Sequence, residues 1–230
     1  MTLGLTGQTI RTIIWDFNGT LIDDLDLVLH AVNRQLTRRN LQSLTLKRYR
    51  DVFGFPVSEY YRRIGLDVDR ESMASLSDEF FDAYGPGLKA CELYPGVRDA
   101  LRKFERRGLQ QFVLSAMEET MLRGMLEHLG INGHFHAAYG LAHLEGDSKL
   151  SRGRDLLADQ TIDPARALMI GDTHHDADVA AELGMSAALV STGHQSAARL
   201  ATAGWPVYAS AIDVAQAVCE ARPDTMAGSS

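Results

Sequence analysis

Six short apolar runs do most to limit what this chain can fold into: "TIIWDF", "LQQFVLSA", "FHAAYG", "ARALMIGD", "SAALVST" and "PVYAS". Each is apolar almost throughout rather than alternating, and Gly, Asp, Thr or Ser stands at or near its end. Segments with helical spacing separate the later runs, at 97–107, 118–129, 150–158 and 178–183. On period alone the runs also fit buried helix turns, but their brevity and flanking residues favour strands. Short, uniformly apolar strands alternating with helices predict an α/β architecture, a parallel sheet with helices on both faces.

The alternation fails between 23 and 92. No strand pattern occurs there. Leu25, Val28, Leu29, Val32 and Leu36 instead form a stripe at helical spacing, and Phe80, Phe81 and Tyr84 end another. Gly54, Pro56, Gly65, Gly85, Pro86 and Gly87 punctuate the segment. It reads as an all-helical domain inserted after the first strand. The expected organisation is a discontinuous α/β core at 1–22 and 93–221, an inserted helical cap at 23–92 and a disordered tail at 222–230.

Charge and composition exclude several function classes. The 230 residues are 45% hydrophobic, enough for a sizeable core, and carry a net charge of −7, which argues against nucleic-acid or anionic-membrane partners. Cys91 and Cys219 stand in no metal or redox spacing, so free thiols are expected. The N-terminus lacks the basic and apolar regions of a secretory signal, and no apolar run is long enough to span a bilayer. A cytoplasmic location is the expectation.

Ligands of an open α/β sheet bind outside the carboxyl ends of its strands. The first run reaches Asp16, with Asn18, Gly19 and Thr20 next to it; the second reaches Ser115; "ARALMI" reaches Gly171-Asp172, with Asp176 four residues on. Asn18-Gly19 after a β-branched run is also a hairpin signal. The segment after Thr20, "LIDDLDLVLH", has helical spacing instead of a second alternating strand. Asp16, Asp172 and Asp176 therefore form a candidate cluster of three carboxylates, hard oxygen ligands suited to Mg²⁺. Lys149, near the start of "SKLSRGRDLLA", brings a cation to the same edge. A metal, a lysine and the Ser115 hydroxyl suit phosphoryl transfer, in which the cations neutralise phosphate charge and the hydroxyl holds its oxygens. One carboxylate can attack phosphorus directly, giving an aspartyl phosphate.

In order, these motifs resemble those of the haloacid dehalogenase superfamily, and within it the phosphoglycolate-phosphatase-like group with a helical cap after the first strand. Asp16-Phe17-Asn18-Gly19-Thr20 stands at the first motif, Ser115 at the second, Lys149 at the third, and Gly171 to Asp176, "GDTHHD", at the fourth. The resemblance implies a Rossmann-like core and a small phosphorylated substrate. It further implies Asp16 as nucleophile, Ser115 and Lys149 as phosphate ligands, and Asp172 and Asp176 as magnesium-site acids, with the Asn18 carbonyl as a further metal ligand. Gly19, Thr20 and Ala116 are expected to meet the phosphate through the loops. In the cap, "DVFGFPVSEYYRRIG" resembles the loop that reaches the site in capped relatives, making Arg62, Arg63, Tyr60 and Tyr61 candidates for substrate recognition, with an ordinary exposed helix face as the alternative.

One position departs from the family. Where its phosphatases carry a general acid and base, this chain carries Asn18, which has no proton to exchange at neutral pH. Such help is typically worth about 10²–10⁴-fold, so a weakened phosphatase dependent on a good leaving group is expected. A binding protein derived from an enzyme, or a phosphotransferase or phosphonatase variant, is the alternative; retention of Asp16 favours the enzyme. His174, His175 and His194 cluster near one sheet edge and could form a second cation site or a substitute acid and base; the simpler reading is loop histidines, one of them capping or bonded to the acid loop. Met117, Met121 and Met125, at helical spacing, read as core packing.

Overall fold

The computed structural model describes residues 10–142 and 148–220. The expected tail at 222–230 lies outside them. In chain order the elements are β1 (Thr12–Trp15), β2 (Ile22–Asp23), α1 (Leu25–Arg38), α2 (Leu46–Val52), α3 (Val57–Ile64), α4 (Met73–Tyr84) and β3 (Glu92–Leu93). Next come α5 (Val97–Arg106), β4 (Gln110–Glu118), α6 (Glu119–His128), β5 (Ala137–Leu141), α7 (Lys149–Asp159) and β6 (Ala167–Gly171). The chain then forms α8 (His174–Glu182), β7 (Ser186–Val190), α9 (Ala197–Leu200), β8 (Val207–Tyr208) and α10 (Ala211–Glu220).

All six apolar runs are strands of one sheet, in the order β5-β4-β1-β6-β7-β8, and every neighbouring pair is parallel. Both faces are covered, which is why the runs are uniformly apolar. Within β1 and β4, Ile13, Trp15 and Val113 face Phe104, Leu122 and Val214 of α5, α6 and α10. Ile14, Phe112, Leu114 and Met169 face Leu156 of α7 and Val179 of α8. The chain steps outward from β1 to β5, then returns to β6 on the other side of β1. The strand order therefore reverses at β1, and the crevice for a ligand opens at the carboxyl end of this central strand.

Four helices, α1 to α4, occupy the interval that broke the alternation. Thr45 caps α2 by accepting from the Arg48 amide (3.2 Å), Ser72 caps α4 by accepting from the Ser75 amide (3.1 Å), and Gly65 closes α3 at φ 96°. Entry and exit of the inserted helices are paired to each other, as β2 and β3 form an antiparallel ribbon. Apolar packing continues from Leu21 and Ile22 into Val28, Val32, Tyr60 and Leu76.

Three details differ from the sequence reading. β4 runs past Ser115 to Glu118 because a register shift against β5 carries the strand on. α8 starts at His174, since Thr173 caps it and draws the two histidines into its first turn. Met121 is 37% exposed while Met125 is buried, so the methionine stripe does not all face the core. Among the described residues no helix is long and apolar enough to cross a membrane.

Candidate active site

Asp16 immediately follows β1, and its amide donates to the Ile170 carbonyl of β6 (2.8 Å), which fixes it between two central strands. The next residues turn sharply: the Phe17 carbonyl accepts from Leu21 (2.9 Å) and Ile22 (3.1 Å). Asn18-Gly19 thus belongs to a tight loop leading into β2, not to a hairpin returning along β1. Gly19 sits at φ 75°, and a Cβ there would lie 2.4 Å from Asp172 Oδ2, so both backbone and space require glycine. A Cβ at Gly171 would likewise meet Asp176 at 2.3 Å.

Asp16, Asp172 and Asp176 converge, with ligand oxygens all within 4.8 Å of one another, and all three are buried. Lys149, buried at the start of α7, bonds Asp16 Oδ1 and Asp176 Oδ1, the latter at 2.6 Å. Asp176 also accepts from the Thr173 amide and hydroxyl (3.0 and 2.7 Å). Asp172 accepts from the Thr20 hydroxyl (3.1 Å) and the His194 amide (2.5 Å). Burial pushes the Asp16 carboxyl up to about 6, against the attraction of Lys149. It pushes Asp172 up to about 8, where His194 opposes the rise and Asp16 and Asp176 add to it. Burial also acts on Asp176, but Lys149 outweighs it and holds that carboxyl below its ordinary range.

A second polar centre stands beside the first. Asp24, 1% exposed, accepts from the Asn18 amide (2.8 Å), the Gly19 backbone (3.1 Å) and the Tyr84 hydroxyl (2.9 Å), and pairs with His194 at 3.2 Å. Asn18 also donates to Tyr84 Oη (2.8 Å), so both its amide hydrogens are engaged on the side of the inserted helices. Burial disfavours charge on both Asp24 and His194, yet their mutual attraction prevails: Asp24 lies below its ordinary range and His194 rises to about 9. His194 Nδ1 meets the Tyr49 hydroxyl of α2 at 2.9 Å.

These groups form the floor of a cavity of about 290 Å³. Asp16, Asn18, Ser115, Ala116, Lys149 and the two further acids line its base, and Tyr61 lines its roof. Ser115 Oγ accepts from the Met117 amide (3.1 Å). Gly19 and Thr20 serve the frame, since their polar atoms are directed to Asp24 and Asp172. Arg62 is not brought to the cavity. The same helix that turns Tyr60 and Tyr61 inward turns Arg62 outward, where it pairs with Glu59 (2.8 Å) and Asp69 (3.1 Å). His175 lines the cavity and stacks on Phe55 (4.4 Å), while His174 Nε2 meets the Arg199 carbonyl (2.8 Å).

Residues 13–190 match the family described as haloacid dehalogenase-like hydrolase. The chain belongs to that family. This haloacid dehalogenase-like hydrolase is 27% identical over 187 residues to a phosphoglycolate phosphatase of Synechococcus elongatus, a match covering 80% of this chain and 85% of that one. It is 26% identical over 190 residues to tyrosine-protein kinase PtkA of Mycobacterium tuberculosis, covering 82% of this chain and 64% of that protein. A solved haloacid dehalogenase-like family protein from Streptococcus pneumoniae superposes with a TM-score of 0.78 at 21% identity, over 89% of this chain and 96% of that one. Likeness at that identity speaks to the fold.

The donor set of the hydrolase fits a divalent cation. Three buried carboxylates face one ammonium, and the oxygens left over are hard donors close enough to share an ion. Sequence reasoning overlooked Asp24 and Tyr84 as partners of Asn18. The doublet Asp23-Asp24 was visible, but nothing local says which acid is buried; Asp23 is exposed and Asp24 is not. Of the roof aromatics, Phe80, Phe81 and Tyr84 were visible only as a helical stripe, whereas the segment carrying Tyr60 and Tyr61 was expected at the site.

Proposed function

We propose that this chain is a Mg²⁺-dependent phosphatase of small phosphate monoesters that works through an aspartyl phosphate on Asp16. One observation carries this reading: Asp16 lies on the cavity floor with Lys149, Ser115 and two further acids around it. The relatives named phosphoglycolate phosphatase support hydrolysis as the reaction type.

In the first half-reaction a carboxylate oxygen of Asp16 bonds phosphorus while the bond from phosphorus to the leaving oxygen breaks, and that oxygen keeps the electron pair. In the second half, water attacks phosphorus, its proton passes to solvent, the Asp16–phosphorus bond breaks, and phosphate departs. Lys149 neutralises the phosphoryl charge, and the Ser115 hydroxyl hydrogen is free to point at a phosphoryl oxygen because its lone pair already holds the Met117 amide. Held by Asp16, Asp172, Asp176 and the Asn18 carbonyl, Mg²⁺ would supply Lewis-acid charge neutralisation. Ala116 and Tyr61 contact the substrate, whereas Gly19 and Thr20 position the acids.

Asn18 gives the leaving oxygen no proton, and its amide is already committed to Asp24 and Tyr84. The enzyme therefore favours leaving groups that depart as stable anions. Residues 23–92 form the cap in this reading and move as a unit, hinging at the β2–β3 ribbon. Opening parts Tyr49 from His194, and Arg50 from the Gly193 carbonyl (2.9 Å); closure expels water before phosphoryl transfer.

The test is release of p-nitrophenol from p-nitrophenyl phosphate. It should require Mg²⁺, stop with a chelator and vanish in Asp16→Asn, and acid quenching should trap phosphate on Asp16. Binding of phosphate esters without any turnover would replace this reading with that of a binding protein.

A further inference from the structure

The geometry points to a substrate class: a phosphate monoester whose leaving group carries a single apolar aromatic ring, not one with a carboxylate tail. This inference rests on the phosphatase reading above and concerns only what lies above the phosphoryl group. Over the polar floor the walls are Val28 and Val32 of α1, Phe53 and Phe55 of the α2–α3 connection, and Phe80 and Phe81 of α4. Phe80 stacks on Tyr84 (5.3 Å), and Phe53 meets Tyr60 edge-on (5.2 Å), so the walls present ring faces and edges. Phe55 and Phe81 are 40% and 41% exposed while lining the cavity, which places large apolar groups at its mouth. A volume of about 290 Å³ accommodates one ring and a phosphoryl group.

Two hydroxyls of the roof are already spent on protein partners. Tyr49 meets His194, and Tyr84 serves Asp24 and Asn18; the Tyr60 hydroxyl is the one in this roof that is buried with no partner among the described residues. Among the described residues a carboxylate tail would find no free counter-charge. Lys149 is shared by Asp16 and Asp176, His194 is paired with Asp24, and the His175 ring is stacked on Phe55 (4.4 Å). The nearby guanidiniums point elsewhere: Arg50 holds the Thr192 and Gly193 carbonyls, and Arg199 those of Arg50 and Phe53. An anionic tail would be desolvated without compensation, whereas a ring would lose only water contacts it is better without. Asn18 points the same way by separate chemistry. As Asp16 bonds phosphorus, a phenolic oxygen leaves with the bonding electrons as a stable anion and takes its proton later from solvent.

Binding of two phosphonates isolates the cavity from leaving-group chemistry, because neither has a P–O ester bond to a leaving group. With Mg²⁺ present, calorimetry should give benzylphosphonate a Kd at least about tenfold below that of phosphonoacetate. Ser77, half-buried on α4, also lines the cavity. Ser77→Arg, which adds a cation without removing a wall residue, should narrow or reverse that ratio, and Phe81→Ala should weaken benzylphosphonate alone. In turnover, phenyl phosphate should exceed phosphoglycolate in kcat/KM. Equal or tighter binding of phosphonoacetate by the unmodified protein, or no binding of either, overturns the inference. Absence of p-nitrophenyl phosphate hydrolysis would defeat the phosphatase reading instead, and the phosphonate comparison would still decide this one.

Discussion

The floor and the roof of the cavity are built on opposite principles. The floor is built around loops at the ends of β1, β4 and β6, held by strand pairing, and it concentrates buried charge: Asp16, Asp172, Asp176 and Lys149, with the Asp24–His194 pair beside them. The roof consists of helices whose charged residues face away and whose aromatic residues face in. Arg39 there binds Glu71 (2.5 Å) and Glu79 (2.8 Å) across the outer side of α1 and α4, far in character from the ring-lined inner side. In the proposed mechanism this contrast divides reactivity from selection: strand ends would place charge where phosphorus is attacked, and helices would decide which group is admitted beside it.

That division is easiest to break at the nucleophile. Asp16→Asn should lower turnover of every phosphate ester by about 10⁴-fold or more, the scale on which loss of a nucleophile is felt. Phe81→Ala should instead change the ranking of esters while leaving p-nitrophenol release from saturating substrate within about tenfold of normal. Uniform loss in both variants, measured across one panel of esters, would erase the proposed separation of roles.

Asn18 sits at the junction of the two regions, and changing it sharpens the comparison. Asn18→Asp would put a second carboxyl within hydrogen-bond distance of Asp24. Two carboxyls that close share a proton, so one stays protonated near neutral pH and can serve as a general acid. Alkyl-phosphate turnover should rise by roughly 10²-fold, at the lower end of general-acid effects. Because Asn-Gly sequences deamidate, intact mass across residues 16–21 must accompany the kinetics. Should fresh protein with Asn18 intact match the variant on alkyl esters, another group supplies the proton.

The floor should also be the pH-sensitive part of metal-free protein. Asp16 and Asp172 titrate above the usual carboxylate range, at about 6 and about 8, and His194 above the usual histidine range, at about 9. A raised folded-state pKa confers stability below the unfolded value that is lost as pH climbs through the folded value. All three groups therefore act in one direction: with chelator present, the thermal midpoint should fall from pH 5 to pH 9. Millimolar Mg²⁺ should restore part of it by binding the ionised acids of the native state. A midpoint indifferent to both pH and Mg²⁺ would show that the acids do not converge in solution.

The smallest effect belongs to the outer side of the roof. Glu79 lies below its ordinary range chiefly through its hydrogen bond from Arg39. A depressed carboxyl contributes stability above its unfolded pKa and loses it as pH falls through the folded one. Glu79→Gln should cost about 1 kcal/mol at pH 7, progressively less as pH falls below the ordinary glutamate range, and leave ester ranking unchanged.

By itself the sequence determined the sheet and the floor. Apolar runs buried on both faces have no period to misread, and in a parallel sheet every strand delivers its last residues to the same edge. Asp16, Ser115 and Asp172, each at or near the end of such a run, with Lys149 and Asp176 opening helices beside them, could thus be gathered without knowing a single contact. Only the tertiary structure decided the roof and the junction. Tyr61 and Arg62 are neighbours on α3, and helical period permits either to face inward until packing against α1 and α4 selects the tyrosine. Asp23 and Asp24 are likewise neighbours, and only the β2–β3 ribbon sends one to solvent and the other to Asn18, Tyr84 and His194. Those partners come from segments 6, 60 and about 170 residues away, and local sequence carries no record of which distant side chain will arrive. Strand-end chemistry is written in the order of residues; the orientation of a loop amide and the lining of a helical roof are written in packing.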